Sequence, residues 1–236
     1  MSKLRFLHLS VLCLLAAGCS DRLAGTSTTA ENTVTGTAML PGGLPAAGAV
    51  VSARSAQVVL ARNRVPQSLL IGLAYADSSG RFELKLPGAM PFYLEIRRVP
   101  KVPAAADSFP ESWFHEFPDS SSKPRRLGEL LLEKSILLQG RLRPLEKPWV
   151  TRAWVGIAGT DNFRSLDPAQ PGVADTAGVA FTLSEAPFQA HRLAIYAEPE
   201  VSVDQLDEPL PTEGFEFPLL DAQGFRDVGV IPFKPR

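Results

Sequence analysis

From Thr33 onward the chain alternates. Val34, Gly36 and Ala38 interleave with Thr33, Thr35 and Thr37, a period of two that sends successive side chains to opposite faces of a strand. Pro41-Gly42-Gly43 interrupts the run as a turn, and Gly48-Ala49-Val50-Val51-Ser52-Ala53 reads as the next strand. Ile71, Leu73 and Tyr75 then alternate with Gly72, Ala74 and Ala76. Asp77-Ser78-Ser79-Gly80 follows, a turn in which Asp bonds its own backbone and Gly takes the positive φ. Phe82, Leu84 and Leu86 face one way and Arg81, Glu83 and Lys85 the other, the clearest half-buried strand in the sequence. Past Pro87-Gly88, Phe92, Leu94 and Ile96 repeat the pattern.

The same order returns about a hundred residues later. Ile136 to Leu142 matches the opening strand, with Gly36 and Gly140 separated by 104 positions. Ala153-Trp154-Val155-Gly156-Ile157 matches the second strand, and Asp175-Thr176-Ala177-Gly178 matches Asp77 to Gly80 at a separation of 98. Leu94 and Leu193 lie 99 apart, and Arg126-Leu127-Gly128-Glu129-Leu130 matches Arg226-Asp227-Val228-Gly229-Val230, with the glycines 101 apart. A single coincidence of this kind would decide little. Four landmarks held between 98 and 104 predict two homologous modules, 33–134 and 135–236, with their boundary near Glu133 to Ser135. A length of roughly 100 residues suits a β-sandwich.

The run Gly36…Gly48-Ala49-Val50-Val51…Ala76-Asp77-Ser78-Ser79-Gly80-Arg81-Phe82-Glu83-Leu84…Pro87…Tyr93-Leu94-Glu95-Ile96 resembles the carboxypeptidase regulatory-like domain. That resemblance implies a transthyretin-like (prealbumin-like) Greek-key sandwich of roughly seven strands. Residues 33–134 carry it closely and 135–236 more loosely, because Asp175 to Phe181 holds one more residue between its Gly and Phe. An insertion there is expected to bulge the strand or shift its register. The expected fold class is all-β, two tandem Greek-key sandwiches of transthyretin-like or Ig-like type.

The N-terminus breaks the pattern. Lys3 and Arg5 precede Phe6 to Gly18, thirteen residues without a formal charge. As a helix this spans about 20 Å, short of the roughly 30 Å hydrocarbon core, so it reads as the core of a signal peptide. The run ends in Leu15-Ala16-Ala17-Gly18-Cys19, which resembles the lipobox of bacterial lipoproteins. The resemblance implies a signal peptide over 1–18, acylation of Cys19, and a flexible tether over 19–32. A conventional cut after a small-x-small triplet, with Cys19 incidental, remains open. Under the enterobacterial sorting rule, Ser20 in place of Asp implies the outer membrane, on either its periplasmic or its surface face. Each buried CH₂ contributes about 0.8 kcal/mol, so two or more acyl chains would hold the protein at the membrane without a spanning helix. Cys13 leaves with the signal, so Cys19 has no intrachain disulfide partner.

Composition narrows the function. The 236 residues are 45% hydrophobic and 21% charged with a net charge of −1, which describes a folded chain without the basic footprint that nucleic acid requires. Twenty-one prolines oppose long helices. The mature chain holds two histidines, His115 and His191, and one cysteine, too few for a zinc site. Asp161, Asp167 and Asp175 do not fit EF-hand spacing and read as turn residues. There is no Gly-x-Ser-x-Gly elbow and no phosphate-cradling loop. No catalytic residue, metal or cofactor is therefore expected.

Two segments stand out as surfaces. Trp113, Phe114, His115 and Phe117, between Pro110 and Pro118, form an aromatic loop. These rings either stack on sugars or peptide side chains or close one end of the core. Glu198 to Glu216 holds seven acidic residues and no Lys or Arg, which makes it either a cation-seeking patch or a solvated connection. The expected function is that of a non-catalytic cell-envelope lipoprotein whose sandwiches form a structural or interaction surface, with an envelope protein or polysaccharide as partner. The alternative is a glycan-binding accessory lipoprotein that uses the aromatic loop.

Overall fold

The computed structural model describes residues 32–60, 66–98, 110–144, 153–166, 178–197, 213–216 and 225–233. All regular structure among them is strand. The first half contributes Thr33–Leu40 (β1), Leu44–Pro45 (β2), Val50–Leu60 (β3), Pro66–Tyr75 (β4), Arg81–Lys85 (β5), Phe92–Arg98 (β6), Glu111–Phe117 (β7), Arg125–Leu131 (β8) and Glu133–Lys134 (β9). The second contributes Ile136–Pro144 (β10), Ala153–Ile157 (β11), Phe163–Leu166 (β12), Val179–Ala186 (β13), Arg192–Ala197 (β14), Glu213–Glu216 (β15) and Phe225–Phe233 (β16).

In the first half β1 lies between an antiparallel β5 and a parallel β8, with the short β2 on its end, and faces a five-stranded sheet ordered β4-β3-β6-β7-β9. In the second, β10 lies between an antiparallel β13 and a parallel β16, and the facing sheet is β12-β11-β14-β15. The pairings recur with their directions: β10 stands for β1, β13 for β5 and β16 for β8, while β11, β12, β14 and β15 stand for β3, β4, β6 and β7. The chain is all-β, built from sandwich modules of one topology.

Alternation builds each core. β5 reads exposed-buried-exposed-buried-exposed, and its Phe82 and Leu84 meet Val34 and Ala38 of β1 and Leu94 and Ile96 of β6. Leu138, Phe181, Leu183, Leu193 and Ile195 do the same in the second sandwich. Two glycines per sandwich let the layers close. Gly36 pairs with Phe82 and Gly140 with Phe181, each at a bulge where the strand meets its parallel neighbour. The facing Gly128 and Gly229 take φ of 71° and 73°, a left-handed conformation that only glycine adopts freely.

The extra residue of the second module neither bulges its turn end nor shifts the Gly140–Phe181 pairing. It extends the ladder by one pair, Leu142 with Val179, where the first sandwich ends at Thr37 with Arg81. The register shift falls at the other end, between Ile136 and Leu138, where Glu185 is forced to a φ of 58°.

Candidate functional site

β6 presents two chemistries. Leu94 and Ile96 face their own core, while Tyr93, Glu95 and Arg97 face outward. In β7 the outward residues are Ser112, Phe114 and Glu116, opposite Arg97, Glu95 and Tyr93, and β3 adds Arg54 beside Tyr93. Outward here means toward the second sandwich, whose β11–β12 loop (residues 158–162) and β13–β14 turn (residues 187–191) meet this face.

The apolar centre of that junction is Tyr93 stacked on Phe114, with ring centroids 5.5 Å apart. Both belong, with Val58, to the second sandwich's core cluster. Gly159 lies against Tyr93 with a φ of 82°. Burial pushes the Tyr93 phenol up to about 12, helped by the Glu116 carboxylate, so it remains a neutral hydroxyl. Ion pairs surround these rings. Arg192 Nη1 donates to Glu116 Oε1 at 3.1 Å, and His191 Nε2 lies 3.8 Å from the other oxygen of that carboxylate. Arg54 Nη2 donates to Asp161 Oδ2 at 3.0 Å, and Arg97 pairs with Glu185. Gln189 Nε2 donates to Glu133 Oε2 at 2.8 Å.

Between these pairs lies a cavity of about 220 Å³, floored by Glu95 and Arg97 and walled by Thr160, Asn162, Ser184 and Glu185. Asn162 is held by donating to the Ser184 carbonyl at 2.7 Å, and Thr160 by donating to the Ile157 carbonyl at 2.9 Å. Burial raises the Glu95 carboxyl above the ordinary range, against the opposing pull of Arg97. Among the described residues no cluster of His, Cys, Asp or Glu is arranged to hold a metal ion.

The aromatic segment is a strand and not a loop. β7 pairs with β6 over all seven positions, from Phe92 opposite Phe117 to Arg98 opposite Glu111, and Pro110 and Pro118 bound a strand. The pleat then divides the four rings. Phe114 is buried in the junction, and Phe117 is buried against Phe92 at 4.8 Å. Trp113 is half-buried on the first core. His115 is exposed, stacked on Trp113 at 5.7 Å and edge-on to Phe117 at 4.7 Å. Desolvation by these rings, with His191 second, lowers the His115 pKa. His191 precedes β14 and faces Glu116.

Cys19, Asp167, Asp175 and the acidic stretch 198–212 lie outside the described residues. The sequence reading missed Tyr93, Glu95 and Arg97, which only alternate with Phe92, Leu94 and Ile96, and Gly159 and Glu185, which no local pattern marks. One signal was present: Trp113 and Phe114 are adjacent, and large rings on both faces of a strand mean that both faces are covered.

No known protein family matches the chain, and neither does any curated protein. Among solved structures it is similar to the shaft pilin SpaA of Lactobacillus rhamnosus GG, at 9% identity over 87% of this chain and 98% of that one, with a TM-score of 0.28. A Streptococcal ancillary pilin aligns at 12% identity over 89% of this chain and 63% of that one, TM-score 0.25. The 9R-lipoxygenase of Cyanothece PCC8801 aligns at 15% identity over 45% of this chain, which spans only 17% of the lipoxygenase, TM-score 0.29. Likenesses at these scores carry no functional argument, and the architecture rests on the chain's own strand pairings.

Proposed function

We propose that this protein is a non-catalytic cell-envelope lipoprotein whose two sandwiches act as one rigid structural or interaction unit. The observation that carries this reading is the junction. Stacked rings enclosed by ion pairs hold one sandwich against the other, as a spacer or display surface requires. The charged groups around its cavity are carboxyls and guanidiniums, two pairs of which neutralise one another, and Thr160 and Asn162 beside them are held in hydrogen bonds to backbone carbonyls. In this reading 1–18 is a signal peptide, acylated Cys19 anchors the chain through the tether 19–32, and Ser20 sends it to the outer membrane. Replacing Cys19 tests the anchor. Cys19→Ala should abolish labelling by a fatty-acid probe and release the chain into the soluble fraction; a variant that still labels and stays with membranes overturns the reading.

A second reading is favoured by one observation: beyond the two positions where β7 pairs with β9, exposed His115 stacks beside half-buried Trp113, a surface on which a sugar ring could stack. Residues 33–236 would then be retained on insoluble polysaccharide or peptidoglycan, and Trp113→Ala would lose that retention. No retention of either protein removes this reading and leaves a protein partner.

A further inference from the structure

Sheet edges are where β-proteins guard against unwanted pairing, most often with charged side chains. Among the described residues the edge strands longer than two residues follow this rule with one exception. β5 carries Arg81, Glu83 and Lys85, β8 carries Arg125, Arg126 and Glu129, and β12 carries Arg164. β13, β15 and β16 each carry at least one acidic residue. β4 carries none: its ten residues are Pro-Gln-Ser-Leu-Leu-Ile-Gly-Leu-Ala-Tyr. It ends the five-stranded sheet and pairs only with β3 among the described residues.

The edge is apolar as well as neutral. Leu70, Leu73 and Tyr75 are opposite Arg54, Ser52 and Val50, on the outer face, and are 49%, 51% and 65% exposed. The second sandwich covers β6, β7 and the Ala56–Val58 part of β3 on this face; Pro66 and Ser68 of β4 are buried, and the exposed part of β4 runs from Leu69 to Tyr75. Two irregularities bend the β3–β4 ladder at Ile71 and Leu69, so the regular edge is Gly72 to Tyr75. Gly72 within it is backed by β5 of the same sandwich, whose Leu84 and Leu86 side chains and Lys85 carbonyl lie against its inner face, so the outer face and the lateral edge are what a partner can reach.

We propose that β4 is a self-association edge, paired antiparallel about a two-fold axis with β4 of a second copy, so that two five-stranded sheets become one. A two-fold contact requires a surface complementary to itself, and two strands related by such an axis run antiparallel. β4 meets this condition where the others do not. Being uncharged throughout, it brings no like charges together, whereas pairing β8 with itself would gather arginines from both copies. With the axis at Leu73, the Leu73 side chains of the two copies meet on the outer face and the two Tyr75 rings flank them. The inference rests on strand order and exposure and is independent of the anchoring reading.

Sedimentation of the full chain in density-matched detergent tests it. The wild type should sediment as a dimer at micromolar concentration, and Leu73→Lys, a charge placed at an exposed position, as a monomer with an unchanged circular dichroism spectrum. In intact membranes Leu73→Cys should cross-link to itself through a short bis-maleimide, while Glu83→Cys on β5 should not. A monomeric wild type overturns the proposal, as does a Leu73→Lys dimer or a Leu73→Cys adduct formed only with a different protein. Should Leu73→Lys lose its fold, the cross-link decides.

Discussion

The ring of Tyr93 fills the space that a Cβ on Gly159 would need, its Cγ lying nearest that point. Gly159 also holds a φ of 82°. Two requirements, left-handed backbone and no side chain, therefore coincide where one sandwich closes on the other. Gly159→Ala meets both penalties, and we expect a loss of about 2–4 kcal/mol. Thermal unfolding measures it. Tyr93→Ala in the same chain should remove the steric share, so the double variant loses less than the sum of the two single losses. Additive losses would show that the two residues do not touch.

The glycines at the paired bulges allow a comparison within one chain. A Cβ on Gly140 would lie 2.6 Å from Val228 Cγ2 and 3.0 Å from the Gly229 carbonyl oxygen, whereas one on Gly36 meets the Phe82 ring at 2.9 Å and the Gly128 oxygen at 3.3 Å. A ring can slide by a few tenths of an ångström, but backbone in a bulge has less freedom. Gly140→Ala should therefore cost about 2–3 kcal/mol and Gly36→Ala about 1 kcal/mol, read from urea midpoints. Equal losses would mean that the two sandwiches close alike at these glycines.

Much of the first sandwich was legible because period two is a local signal, and β5 shows it at every position from Arg81 to Lys85. The glycine and aspartate landmarks then carried the pattern into the second sandwich. Two things were hidden. The Glu111–Phe117 segment read as a loop because Pro110 and Pro118 flank it and its rings do not alternate; it is a strand with rings on both faces, so it lacks an obvious polar side. The junction was hidden for a related reason. Arg54 with Asp161 and Arg192 with Glu116 are joined across 107 and 76 positions, and nothing local marks either pair as partners.

Near the start of β8 and of β16 stands an arginine held against aromatic rings, in different surroundings. Arg125 lies 5.3 Å from the centroids of Phe92 and Phe117 and pairs with the exposed Asp119. Arg226 is 1% exposed, lies 5.8 Å from the Phe188 centroid and donates to the Ala190 and Phe188 carbonyls at 2.9 and 3.3 Å. Alanine at 226 leaves a cavity and two turn carbonyls short of a donor, so about 3 kcal/mol should be lost. Alanine at 125 leaves groups that water can reach, and about 1 kcal/mol should be lost. Chemical denaturation of both variants checks the order.

The Glu95 carboxyl sets a pH dependence whose sign follows from burial. Its folded pKa stands above the ordinary 4.5, chiefly through desolvation, so over the range above that value the folded chain holds a proton the unfolded chain has released. The stability this group contributes is therefore complete below about pH 4.5 and is lost as pH rises through its folded pKa. Glu95→Gln keeps the shape of the protonated acid and cannot ionise. Arg54, Arg97, Asp161 and Glu185 face the same space in both proteins and cancel in the comparison. The two should unfold at the same temperature near pH 4, and the variant should unfold at a higher one near pH 7, with the gap opening across that window. Parallel curves from pH 4 to pH 8 would mean that Glu95 is solvated and charged, and that the cavity floor is open to bulk water.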